Sequence, residues 1–147
     1  MLKRTPLKRV TPLRTKMRWV SRKRHSSPPP APHDELRFAR MRRIGCLACR
    51  MNHLRGIATA TFRKSDIEIH HILSGGRRIG HEATICLCHY HHQGKRLPFR
   101  HEGYKAQAEI FGPSMERDPR WFRAMYGNEL DLLEQQNALL AGELCPA

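Results

Sequence analysis

The chain has 147 residues, enough for one domain, and carries 27 Lys+Arg against 13 Asp+Glu for a formal charge of +14. That excess points to a polyanionic partner, most simply nucleic acid. No apolar run approaches the ~20 residues a membrane helix needs, and the charged start lacks the apolar core of a signal peptide, so the expectation is a cytoplasmic protein with no membrane partner.

The charge is unevenly spread. Residues 1–33 hold ten of the basic residues and no acid, which leaves 34–147 with 17 basic against 13 acidic. The ten are Lys3, Arg4, Lys8, Arg9, Arg14, Lys16, Arg18, Arg22, Lys23 and Arg24. They lie on an imperfect repeat, Leu-Lys-Arg-Thr-Pro followed by Leu-Lys-Arg-Val-Thr-Pro, in which Pro6 and Pro12 block helix formation. Ser26-Ser27-Pro28-Pro29-Pro30-Ala31-Pro32 then reads as an extended linker. The expectation is a disordered arm over 1–33, able to lie along phosphates with those ten cations, and a folded body over 34–147. Trp19, inside the basic run, is a single aromatic that could stack on a base.

In the body, the spacing predicts a helix over Asp34–Ile44, with His33 or Asp34 near its cap and Leu36, Ala39 and Arg43 on one side. Gly45 to Cys49 reads as a tight turn. Ile67 and Ile69 alternate with Asp66, Glu68 and His70, the pattern of a short strand, which Ser74-Gly75-Gly76 breaks. Thr84–Leu87 is a second strand, and His89–Gln93 starts a helix that ends near Gly94. A helix over Glu102–Phe111 presents Tyr104, Ala108 and Phe111. The last helix is capped by Asn128, carries Leu130, Leu133 and Leu140, and stops at Gly142. It reads as a packing element.

Five cysteines in a reducing compartment suggest metal rather than disulfides. Cys46 and Cys49 have the spacing at which two thiolates converge on one ion, and Cys88-His89-Tyr90-His91 supplies a second pair. The expected structural zinc site is Cys46, Cys49, Cys88 and His91. Cys86 rivals Cys88, because period two puts both on one face of a strand. Cys145 is expected to be free.

Six of the ten histidines fall within EIHHILSGGRRIGHEATICLCHYHHQG, residues 68–94. Strand, loop, strand and helix in that order form a compact ββα unit, bringing His70 and His92 together as two ligands of an open, catalytic metal site. His71 is then available as a general base. A strict pleat would turn His70 and His71 to opposite faces, so the strand must twist or end there. Arg77 and Arg78 sit in the adjoining loop as candidate phosphate contacts. His89 and the isolated histidines 25, 33, 53 and 101 read as surface residues.

His70-His71-Ile72, the Gly75-Gly76 loop, Leu87 to His92 and the preceding Cys46/Cys49 resemble the HNH (ββα-metal) nuclease superfamily. Within it, Glu68 to His71, Gly80-His81, Thr84 with Cys88, His91 to Gly94, Tyr126-Gly127 and the leucine-rich last helix look like the phage recombination-enhancement nuclease family, Ref, whose members act with RecA. The resemblance implies an α+β fold: a small zinc-stapled ββα-metal domain with flanking helices behind a basic arm. It implies a metal-dependent DNA endonuclease, working on single-stranded or RecA-bound DNA in the cytoplasm of a bacterial host and leaving 5′-phosphate and 3′-hydroxyl ends. By the same resemblance His70 and His92 hold one catalytic divalent ion (Mg2+, Mn2+ or Zn2+) and His71 activates water. Many such nucleases place Asn on the second strand; here Ala83-Thr84 stands in that vicinity, so Thr84 is a candidate to orient His71. His81 is a further candidate, as ligand, phosphate contact or loop residue. The rival reading is a zinc-stapled nucleic-acid-binding or annealing protein without catalysis.

Overall fold

A computed structural model of the protein describes residues 28–60, 66–97 and 100–142. Residues 1–27 of the arm, with its ten cations and Trp19, and Cys145 at the other end, lie outside the described residues; the last two arm residues already belong to the first helix. The body is α+β: six helices around a two-stranded sheet and a small separate hairpin, among the described residues.

Helix α1 (Pro32–Ile44) begins at a proline, whose missing N–H costs nothing in a first turn. The Asp34 carboxylate accepts the Ala31 N–H at 2.9 Å. Its inward face is Asp34, Phe38 and Met41; Leu36, Ala39 and Arg43 are exposed, so the apolar face expected from the sequence is displaced. Helix α2 (Leu47–Leu54) occupies what reads from the sequence as a turn. Cys46 is its N-cap residue, and Cys49 lies in its first turn.

Strand β1 (Ile67–His71) pairs antiparallel with β4 (Thr84–Cys88), with Ile67 opposite Cys88, Ile69 opposite Cys86 and His71 opposite Thr84. Between them, β2 (Leu73–Ser74) and β3 (Arg77–Arg78) form a hairpin. Its two-residue turn is Gly75-Gly76, both with positive φ (57° and 78°), the conformation a right-twisted hairpin requires and β-carbons resist. β4 is buried along its whole length, covered by α3 (His89–Gln93) and α6 (Glu129–Ala141). Helices α4 (Tyr104–Phe111) and α5 (Pro119–Tyr126) complete the body. Helix α5 has no counterpart in the sequence reading.

On α6, Leu132, Gln136 and Leu140 are buried and Leu133 and Leu139 pack against the core, while Leu130 is exposed. Asn128 caps the helix, its side chain accepting the Leu130 and Asp131 N–H groups at 2.8 and 3.1 Å. The buried Gln136 Oε1 accepts from the Cys86 N–H at 3.3 Å and from its thiol at 2.9 Å, tying α6 to the sheet. No helix among the described residues is long and apolar enough to cross a membrane.

Candidate active site and metal centre

Cys46, Cys49, Cys88 and His91 converge, all buried, with their ligand atoms within 4.8 Å of one another. His91 Nδ1 lies 3.3 Å from Cys88 Sγ, 3.4 Å from Cys49 Sγ and 3.6 Å from Cys46 Sγ; Cys49 and Cys88 sulfurs are 3.9 Å apart. Zinc bonds of ~2.3 Å to sulfur and ~2.0 Å to nitrogen put tetrahedral donors about 3.5–3.8 Å apart, so the four side chains fit such an ion.

The imidazole is turned for that role. Its Nε2–H donates to the Phe111 carbonyl at 2.9 Å, leaving Nδ1 bare toward the sulfurs. The Tyr126 hydroxyl lies 3.3 Å from the same Nε2 and donates to Asn52 Oδ1 at 2.9 Å. Asn52 in turn donates to the Phe111 carbonyl at 2.7 Å. Four buried donors compete for protons: burial pushes the Cys46 thiol up, and hydrogen bonds from Cys46 and Cys88 pull Cys49 down. A divalent cation resolves that competition by replacing the protons.

The rivalry between Cys86 and Cys88 is resolved by placement. Cys88 ends the strand and caps α3, which turns its sulfur to His91. Cys86 instead donates to the Gly45 carbonyl at 2.7 Å and to Gln136, and burial raises it to about 12, so it stays a thiol.

The second cluster is half-buried. His70 Nδ1 and His92 Nε2 face each other at 2.9 Å. The outer nitrogen of each ring is held by a carboxylate at 2.7 Å: His70 Nε2 by Glu129 Oε1, and His92 Nδ1 by Glu68 Oε2. In neutral rings each carboxylate takes the single N–H, so two bare lone pairs point at one another. A shared proton or a cation beside the two nitrogens would each suit that arrangement. Neighbouring donors on an octahedral ion bonded at ~2.1 Å lie about 3.0 Å apart, and the spacing here matches. The pleat explains Glu68: period two puts it on the His70 face of β1, where it also meets His89 at 3.2 Å and Lys95 at 3.5 Å.

His71 ends β1, on the opposite side of the pleat from His70. Its Nε2 lies 3.1 Å from His81 Nδ1, and Phe38 stands edge-on to both rings. Burial, then the charges of Arg78, His81 and His70, lower its pKa, favouring the neutral form. The Thr84 hydroxyl donates to the His81 carbonyl at 2.8 Å, so it anchors the loop carrying His81 and leaves the His71 ring to other partners. Arg77 and Arg78 are exposed on the hairpin. His33, His53 and His101 are exposed, and His89 half-exposed against Glu68.

Two residues escaped the sequence reading. Glu68 was legible from its alternation with His70. Glu129 was not: it reaches His70 across 59 positions, from the first turn of a helix read as packing alone.

A family model described as recombination enhancement, RecA-dependent nuclease matches residues 30–141. No curated protein and no solved structure matches the chain.

Proposed function

The chain belongs to the recombination-enhancement, RecA-dependent nuclease family, and from that premise we propose that it is an HNH-type endonuclease hydrolysing DNA phosphodiester bonds with a divalent metal. The observation that carries this reading is the His70–His92 pair, two ring nitrogens 2.9 Å apart, each ring backed by a carboxylate. A binding module stapled by zinc has no use for it.

His70 and His92 would hold the ion, which when bound polarises the scissile phosphate and stabilises charge on the leaving oxygen. His71 takes the proton from the attacking water; its lowered pKa keeps it neutral at neutral pH. Glu68 and Glu129 orient the two ligand rings. Arg77 and Arg78 on the exposed hairpin, with the ten cations of the arm, contact phosphates. The products are 5′-phosphate and 3′-hydroxyl ends, and the setting is phage recombination on RecA filaments in the host cytoplasm. Cys46, Cys49, Cys88 and His91 would hold a structural zinc.

Labelled single- and double-stranded DNA, with and without a RecA filament, incubated across Mg, Mn and Zn, tests the proposal. The expected result is metal-dependent cleavage enhanced by the filament and absent in His71→Ala. DNA binding without cleavage under every condition would select the annealing-protein reading instead.

A further inference from the structure

Both ring nitrogens of His81 are engaged, one by a second imidazole and one by a backbone carbonyl. Nδ1 faces His71 Nε2 at 3.1 Å, and Nε2 faces the Pro28 carbonyl at 3.2 Å. The ring stands edge-on to Phe38, 5.8 Å between centroids, and the backbone carbonyl of the same residue is held by Thr84.

A carbonyl oxygen can only accept. His81 Nε2 must therefore carry the hydrogen, and a neutral imidazole has only one. Its Nδ1 is then bare and can only accept, so the hydrogen between the two rings belongs to His71 Nε2. That leaves His71 Nδ1 bare. The order of hydrogens along this chain is dictated from its far end, by the Pro28 carbonyl.

We propose that His81 is a positioning residue that fixes His71 in the Nε2–H tautomer and so makes Nδ1 the atom that receives the water proton. The inference rests on the reading of His71 as general base. When the O–H bond of the attacking water breaks, its proton bonds to His71 Nδ1 and the hydroxide electron pair goes to phosphorus, while the P–O3′ bond breaks and the 3′ oxygen leaves with its electron pair and takes a proton from solvent water. The resulting imidazolium keeps its Nε2–H bonded to His81, whose bare nitrogen stabilises the new charge. No proton passes on to His81.

Two measurements test it on the full-length, zinc-loaded chain. Long-range 15N–1H correlations of the imidazoles, recorded above neutral pH, should show both His71 and His81 as Nε2–H tautomers. A His71 ring protonated at Nδ1 would overturn the assignment, whether or not the chain cleaves DNA, so this arm is independent of the nuclease reading. The second compares His81→Asn with His81→Leu. The Asn Oδ1 stands where Nδ1 stood and can accept from His71, so kcat should stay within a few-fold of the parent. Leucine offers no acceptor, and kcat should fall about tenfold or more with KM for DNA, zinc content and melting temperature unchanged. Equal loss in both variants, or a shift in the metal concentration needed for half-maximal rate, would overturn the positioning role, the latter in favour of a ligand role.

Discussion

The two histidine clusters meet in a single five-residue helix and are built on opposite principles. His91 points inward to three sulfurs and is fully buried, whereas His92, the next residue, points outward to His70 and remains partly open. Consecutive residues of a helix diverge by ~100°, and that divergence separates a closed centre from an open one. The closed centre spends all four donors on holding α2, β4 and α3 together. The open one has two donors and two carboxylates that only aim them. The one is buried and the other partly open, the contrast expected between a structural and a catalytic metal site.

The sharpest way to break this contrast is to change neighbours. His91→Ala or Cys46→Ser should lose a zinc ion and unfold much of the body. Structural zinc can contribute roughly 10–16 kcal/mol of apparent binding free energy, comparable with a whole domain's stability. His92→Ala should keep that zinc and the melting temperature but lose activity. Metal analysis with thermal melts checks all three variants; an unchanged zinc content in Cys46→Ser would remove it from the ligand set.

The next largest effect belongs to the base. His71→Ala should lower single-turnover cleavage by about 10²–10⁴-fold while leaving DNA affinity nearly intact, the proposed DNA contacts being the cations of the arm and hairpin. Cleavage near the parental rate would remove His71 from the chemistry.

Smaller again are the carboxylates. Glu129→Gln and Glu68→Gln keep shape but weaken the hold on each ring's N–H. Each should cost about 10–100-fold in metal affinity or activity, with the buried cluster undisturbed. Metal titration of the cleavage rate reads this directly, and no change in either variant would make the carboxylates bystanders.

The mildest effect is on pH. A base whose pKa is lowered remains deprotonated further into acid. The acid limb of the rate should therefore fall at a pH below 6.5, the ordinary histidine value, with loss of rate as pH drops through the lowered value. A pH profile of single-turnover cleavage checks the sign; a limb above 6.5 would contradict the surroundings seen for His71.

Much of this was legible in local sequence. Cys-x-x-Cys and Cys-x-x-His name the four residues of the buried cluster by spacing, and the alternation around Ile67 and Ile69 places β1. Gly94, at φ 67°, ends α3 where a helix stop was expected. What stayed hidden depends on packing. Helix α2 is eight residues whose N-cap, Cys46, belongs to the metal cluster, so the turn reading was reasonable for an isolated segment. Leu133 and Leu140 pack as the α6 stripe predicts, whereas Leu130 turns out and Gln136 turns in; on α1, Asp34 turns inward and Leu36 out. Glu129 is visible only once α6 is docked.

The segment between His71 and Thr84 has a consequence for how such a chain can diversify. Those two residues are opposed in the ladder, and the Ile72 N–H donates to the Ala83 carbonyl at 2.9 Å just beyond, so the sheet is sealed at that point. Leu73 to Arg78 then projects outward on its own two rungs, exposed along its whole length. Length in such an excursion is cheap: each doubling costs only about 0.6 kcal/mol of closure entropy. Hairpins of other lengths and charges are therefore exchangeable at this seam, provided His81 returns beneath Phe38. The hairpin can vary there while strand register and both clusters stay fixed.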